Sequence, residues 1–320
     1  MSKFLTDIAQ FMRTKRYSIR TEKSYIGWIK AFIRFHKYKH PKMLAENEVE
    51  SFLNFLANEK KVSASTQNQA LCAIVFLYKH ILDRELINLH FGYSKTPKRL
   101  PTVLSEGEVS EILANLKGIH HLIACILYGS GLRISEVLRL RIKDIDFNYK
   151  TIFVFRGKGQ KDRVSMLPHS LIEPLKEQIQ KVKKIHARDL EDGYGATSLP
   201  TSLHRKYKNA LKDAKWQYIF PSTTRCRHPA DGYVCRHHLH ETAFRKQLRT
   251  AVLASGIDKQ VKAHSFRHSF ATEMLKAGAD IRTLQELLGH TDIRTTEIYT
   301  HVIGDKFSGK KSPLDRIASS

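Results

Sequence analysis

Between residues 92 and 101 the chain reads Gly-Tyr-Ser-Lys-Thr-Pro-Lys-Arg-Leu-Pro, and no helix or strand period runs through it. Two prolines, a glycine and three basic residues stand in ten positions. Proline lacks the amide hydrogen and restricts the residue before it, so a regular element stops here. The chain is therefore expected to fold as two units, residues 1–91 and 102–320, joined by a linker at 92–101. A length of 320 residues is enough for two separate cores.

The first unit shows only helical spacing. Phe4, Leu5, Ile8, Phe11 and Met12 form one apolar face, and Tyr25, Trp28, Ile29, Phe32 and Ile33 a second. Phe52, Leu53, Phe55 and Leu56 mark a third, and a fourth runs from Leu71 to Leu82 behind Ser65 and Thr66, read as its cap. Four amphipathic helices make a small bundle. Lys15, Arg16, Arg20, Lys23, Lys30, Arg34, Lys37 and Lys39 lie on the polar faces with Glu22 nearly alone among them. Such an undiluted basic face suits a phosphate backbone better than mere solubility does.

The second unit opens at Ser105 and Glu108, a capping box. An apolar helix at Ile123 to Tyr128 is broken by Gly129-Ser130-Gly131, and Leu132-Arg133-Ile134-Ser135-Glu136 begins the next. Thr151 to Phe155 and Arg163 to Leu167 alternate as strands joined by the turn Arg156-Gly-Lys-Gly-Gln-Lys-Asp162. The whole is mainly α with a small antiparallel β-sheet: a helical bundle followed by an α+β domain. Near the C-terminal end His264 and Arg267 stand three apart, on one helix face. Leu287-Leu288-Gly289-His290 closes a helix at glycine, and Tyr299 follows nine residues later. Singly, each is an ordinary surface histidine, solvated arginine or half-buried tyrosine.

Together, His-x-x-Arg, Leu-Leu-Gly-His and the tyrosine nine positions on resemble the C-terminal signature of the tyrosine recombinases, the integrase family, and Gly-Leu-Arg-x-Ser-Glu resembles its first-arginine motif. The resemblance implies a catalytic set of Arg133, Lys158, His264, Arg267, His290 and Tyr299. Lys158, between two glycines of the hairpin turn, matches the family's β-turn lysine, with Lys161 a substitute. It also implies the roles: Tyr299 attacks phosphorus, Arg133 and Arg267 clamp the phosphate oxygens, Lys158 protonates the departing 5′ oxygen, and His264 and His290 orient groups or move protons. The phosphotyrosine ester conserves the energy of the broken bond, so no cofactor and no metal are expected. In the family the tail after the nucleophile, here Phe307 through Ile317, packs on a neighbouring subunit, which implies a homo-tetramer on two DNA sites.

A further segment narrows the branch. A basic helical insertion is expected at about 189–217, and residues 201 to 230 hold seven Lys or Arg against Asp213, interleaved with Tyr207, Trp216 and Tyr218. Aromatic side chains in a basic setting bind unpaired bases through their faces. The wording Gly-Tyr-Gly, Leu-Pro, Arg-Lys-Tyr and Trp-Gln-Tyr-Ile-Phe-Pro-Ser looks like the added helix of integron integrases, which recombine folded single-stranded hairpin sites with extrahelical bases. Lys206, Tyr207, Trp216, Pro229, His237 and His238 are the DNA-binding candidates. The alternatives are a surface helix with an inward tryptophan, a phage-type or chromosome-dimer-resolving recombinase on duplex sites, a type IB topoisomerase, or a catalytically silent DNA-binding protein.

Charge agrees with a polyanionic partner. The formal net charge is +23 and the pI near 9.9, which puts DNA ahead of an anionic membrane surface. No apolar run reaches the ~20 residues of a membrane span and no signal-peptide core opens the chain, so a cytoplasmic protein is expected, and the resemblance implies a bacterial one that is nucleoid-associated when bound to DNA. Four cysteines are too few for a disulfide scaffold. Cys226 and Cys235 lie among histidines but without the paired spacing of zinc modules.

Overall fold

Leu5, Ile8, Ala9 and Met12 recur at the spacing of one helix face, and that is the face α1 (Lys3–Thr14) buries. The same rule builds α2 (Ile19–Phe35), α3 (Glu46–Asn58) and α4 (Ala64–Ile81), whose Ile29, Phe32, Phe52, Leu53, Ile74 and Leu77 complete a single core. Each such side chain contributes about 1.5–3 kcal/mol on burial. The cap of α4 is Ser63, whose hydroxyl accepts from the Thr66 amide, two residues ahead of the Ser65-Thr66 expected to cap it. The computed structural model describes residues 2–87, 101–155, 162–200, 203 and 208–303. The linker at 92–100, Lys158, Lys161, Lys206, Tyr207 and the tail from 304 lie outside the described residues. The chain divides into two compact units, Met1–Arg99 and Leu100–Ser320.

On the outside of the first unit all eight basic residues named above are exposed. Glu22 is buried instead and pairs with Arg13 at 2.7 Å. The one acid that would have diluted the basic face is turned inward.

The second unit begins with the capping box at Ser105, where the Glu108 carboxylate accepts from the Ser105 amide and the Ser105 hydroxyl from the Glu108 amide. Helices α5 (Glu106–Ala114), α6 (Gly118–Ser130) and α7 (Ile134–Arg139) follow. Three antiparallel strands, β1 (Ile145–Asp146), β2 (Thr151–Val154) and β3 (Arg163–Met166), pair in that order, with Ile152 opposite Ser165 and Phe153 opposite Val164. Alternation puts Ile152, Val154 and Ser165 inward and Phe153, Val164 and Met166 outward. α8 (Ile172–Glu191) runs past Ile185, where its apolar pattern fades, because Asp189 is buried there against Arg236.

Of the stretch read as a basic helical insertion, residues 201, 202 and 204–207 lie outside the described residues, and 189–191 and 203 are helical. After α8 come short 3₁₀ turns at Lys208–Leu211 and Ala214–Trp216. Tyr218 makes one bridge to Arg141, and a strand begins at Pro221. β4 (Pro221–Arg227) and β5 (Val234–His238) form a hairpin that alternation did not reveal, since β4 is polar on both sides. The chain then enters α9 (Glu241–Ala254), α10 (Ala263–Lys276), α11 (Ile281–Leu288) and α12 (Arg294–Ile303). α10 joins two apolar clusters: Phe266 enters the main core, while Phe270 and Ala271 pack with Leu284, Leu288 and Tyr299. Among the described residues no helix is long and apolar enough to cross a membrane.

Candidate active site

With Phe266 and Phe270 committed to apolar clusters, helical geometry turns His264, Arg267 and His268 to a third face of α10. That face lines a pocket of about 130 Å³, with Arg133 from the start of α7, His290 beyond α11 and Tyr299 on α12. Two glycines make the convergence possible. Gly131 ends α6 at φ +63°, where a Cβ would lie 2.3 Å from the Phe270 ring. Gly289 ends α11 at φ +63°, where a Cβ would lie 2.8 Å from Arg163 Cδ. Left-handed backbone suits glycine, and here the missing side chain matters as much.

Arg267 is 2 % exposed and its position is set by main chain: it donates to the Gly131 carbonyl at 2.6 Å and to the Leu288 carbonyl. Its NH2 also meets His290 Nε2 at 3.1 Å, and His290 Nδ1 lies 2.9 Å from the Thr296 hydroxyl. A guanidinium only donates, so Nε2 accepts and Nδ1 carries the ring proton. Burial foremost, and then Arg133, push the Arg267 pKa below its ordinary value, though guanidinium stays charged at neutral pH.

The carboxylate between these cations is Glu136, which the reading of the sequence passed over. It accepts from Arg133 NH1 at 2.8 Å, from Arg163 NH1 and NH2 at 2.9 and 2.7 Å, and lies 4.0 Å from Arg267. It also accepts from the Arg133 amide at 2.8 Å, closing the first turn of α7. Burial by itself would raise its pKa, but the paired Arg163 and Arg133 outweigh burial and hold it at about 2. Arg163 was likewise missed. Its Nε donates to the Leu287 carbonyl at 2.9 Å, tying β3 to the end of α11.

Tyr299 is 1 % exposed, and burial raises its pKa against the opposing pull of Arg267 and Arg133. Its Oη lies 2.9 Å from Nδ1 of His268, a residue the sequence analysis did not single out. The available signal was position, since His268 is four residues from His264 on the same face. His264 stands exposed at the pocket mouth, and desolvation by the pocket walls, then Arg267 and Arg133, lower its pKa.

Among the described DNA-binding candidates, Trp216, His237 and His238 gather around Tyr218 and Arg141, and Pro229 lies apart. His237 and His238 are half-buried on β5, with ring centroids 5.6 and 5.3 Å from that of buried Tyr218. Burial lowers both pKa values, that of His238 to about 4, so neither offers a cation to phosphate at neutral pH. Trp216 is half-buried, with Lys143 Nζ 4.4 Å from its ring centroid. Pro229 is exposed in the turn at the far end of the β4–β5 hairpin, roughly 20 Å from His238 at strand rise. Arg141 holds the base of this region, donating to Thr197 Oγ1, the Ser198 carbonyl, Tyr218 Oη and the Trp216 carbonyl. Cys226 and Cys235 face each other across the hairpin, and among the described residues no group of three or more His, Cys, Asp or Glu side chains is placed to hold a metal.

Comparison with known proteins decides the family. A model of the phage integrase family matches residues 102–304, and one of the phage integrase N-terminal SAM-like domain matches residues 4–88. The chain belongs to the phage integrase family, the tyrosine recombinases. It is an enzyme of DNA cleavage and rejoining through a tyrosine intermediate. The recombinase is 46 % identical over 316 residues to an integrase/recombinase of Escherichia coli, covering 98 % of this chain and 94 % of that one. It is 30 % identical over 308 residues to tyrosine recombinase XerD of Rickettsia bellii, covering 88 % and 89 % of the two chains. Its fold is similar to that of a lambda integrase dimer bound to a COC′ core site, with a TM-score of 0.63, 16 % identity and 98 % of each chain covered.

Proposed function

We propose that the recombinase cuts and rejoins strands at the pocket between α7, α10, α11 and α12, with Tyr299 as nucleophile. The reading rests on one observation: Arg133, His264, Arg267, His290 and Tyr299 line a single pocket. In-line attack on a phosphodiester needs a nucleophile, neutralisation of the non-bridging oxygens and a proton for the leaving oxygen. Arg133 and Arg267 neutralise the phosphate, His264 and His290 orient it, and Lys158 protonates the 5′ oxygen. The chain acts as a homo-tetramer on two DNA sites.

Its substrate class we infer to be that of an integron integrase: folded single-stranded hairpins with extrahelical bases, joined to a double-stranded attachment site. Half-buried Trp216 beneath Lys143, in a strongly basic segment, supports this because an aromatic face beside a cation accepts an unpaired base that a regular duplex keeps stacked. Lys206, Tyr207, Pro229, His237 and His238 complete the grip, the two histidines as neutral stacking surfaces. The test is covalent capture of DNA from a mixed pool of nicked duplexes and nicked hairpins with protruding bases. Wild-type protein is expected to enrich hairpins, and Trp216→Ala to lose that enrichment by roughly tenfold while still capturing duplex, from ~1–3 kcal/mol of stacking per base. Enrichment of duplexes alone would instead favour the duplex-site reading that kinship to XerD suggests.

A further inference from the structure

Every nucleophilic tyrosine must lose its phenol proton, and that proton needs an acceptor within reach of Oη. His290 is committed on both ring nitrogens, to Arg267 and to Thr296. The group touching the reacting atom is His268, whose Nδ1 lies 2.9 Å from Tyr299 Oη. The two side chains are enclosed together: Tyr299 is fully buried, His268 is mostly so, and both line the pocket that holds the two arginines.

We propose that His268 is the proton acceptor for Tyr299, taking the phenol proton on Nδ1 as Oη attacks phosphorus and returning it when the strand is rejoined. With Nε2 carrying the ring proton, Nδ1 accepts the phenol hydrogen bond in the resting chain. In cleavage the Oη–H bond breaks as an Nδ1–H bond forms, the Oη–P bond forms, and the bond from phosphorus to the 5′ oxygen breaks. That oxygen takes its proton from the acid assigned to Lys158. In rejoining, the 5′ hydroxyl gives its proton back to the group assigned as Lys158 as its bond to phosphorus forms, the Oη–P bond breaks, and the imidazolium returns its proton to Oη. The inference rests on Tyr299 being the nucleophile.

The surroundings explain how a weak base serves. Burial first, then His264 and Arg267 on its own helix, hold the His268 pKa down to about 4, so the ring is neutral and free to accept at pH 7. Across the pocket stand Arg133 on α7, His290 beyond α11 and Tyr299 on α12, and Glu136 lies behind the arginines. A bound phosphodiester places negative charge against Arg133 and Arg267, offsetting the cations that depress the ring. His268 becomes more basic once DNA is in place, and the phenol stays protonated without it.

Single-turnover formation of covalent adduct is measured from pH 5 to 9 with full-length protein and a nicked duplex or hairpin selected by capture. One version carries an oxygen leaving group and one a 5′-bridging sulfur, which departs without needing a proton. His268→Asn keeps a hydrogen-bonding side chain but cannot take a proton. It is expected to slow adduct formation roughly 10²-fold with either leaving group and to lose the acid limb of the pH profile. Lys158→Ala is expected to be slow with oxygen and restored with sulfur. A fluorinated, more acidic tyrosine at position 299 should recover about tenfold in the His268→Asn background, which a misfolded variant would not do. Wild-type rates from His268→Asn, restoration of that variant by sulfur, or no recovery with the fluorinated tyrosine would each overturn the proposal. If wild type forms no adduct, the assignment of Tyr299 fails and takes this proposal with it. Adduct from wild type and His268→Asn alike removes only the role of His268.

Discussion

Glu136 shows how one side chain can set the electrostatics of a pocket that it does not line. It is the carboxylate among three guanidiniums, two of which line the pocket. Its folded pKa, about 2, lies below the ordinary 4.5, so its contribution to stability is present above about pH 4.5 and lost as pH falls toward 2. Glu136→Gln removes that charge and leaves Arg133, Arg163 and Arg267 repelling one another. Urea unfolding should show a loss of about 3 kcal/mol at pH 7 that shrinks toward zero near pH 2, since removing one partner of a buried pair strands the others. Strand cleavage should fall about 10²-fold with the displacement of Arg133. Glu136 was legible in principle, as an acid three residues into a helix opened by Arg133. Arg163 was not, because its role depends on β3 lying against the end of α11, 124 residues away in sequence.

At the scale of elements, the site is made by helix ends rather than helix faces. α6 and α11 both stop at a left-handed glycine, and the carbonyls of Gly131 and Leu288 take the Arg267 guanidinium. Gly289→Ala therefore combines a strained φ with a Cβ 2.8 Å from Arg163. We expect a loss of about 1–3 kcal/mol in thermal or urea unfolding and a larger defect in cleavage, because Arg163 must leave Glu136 to make room. Gly256→Ala, also at positive φ but with nothing within 4 Å, should cost less stability, from the strained φ alone, and leave cleavage near wild type. These helix boundaries were legible because glycine and the apolar period coincide at Ser130-Gly131 and Leu288-Gly289. The β4–β5 hairpin was not, since its ordering comes from Arg236, which pairs with Asp189 at 2.6 Å and donates to the Ser222 and Thr223 carbonyls, rather than from any alternation in its strands.

For the whole molecule, the net charge of +23 makes DNA affinity strongly dependent on salt. The exposed basic residues of the first unit carry part of that affinity in our reading. Replacing Lys23 and Lys30 with Gln should weaken binding uniformly across DNA sequences and lower the slope of log K against log salt by roughly 0.9 for each phosphate no longer neutralised, read by anisotropy titrations at several salt concentrations. Unchanged slope would mean that these lysines face only water. In our reading, residues from four helices and their caps assemble around Tyr299, the group that becomes joined to DNA. The most direct measurement is mass spectrometry of peptides from the protein trapped on nicked DNA, beside the Tyr299→Phe variant. We expect a nucleotide-bearing peptide with the modification on Tyr299 and no adduct from the variant. An adduct on another residue, or one that persists in Tyr299→Phe, would contradict it.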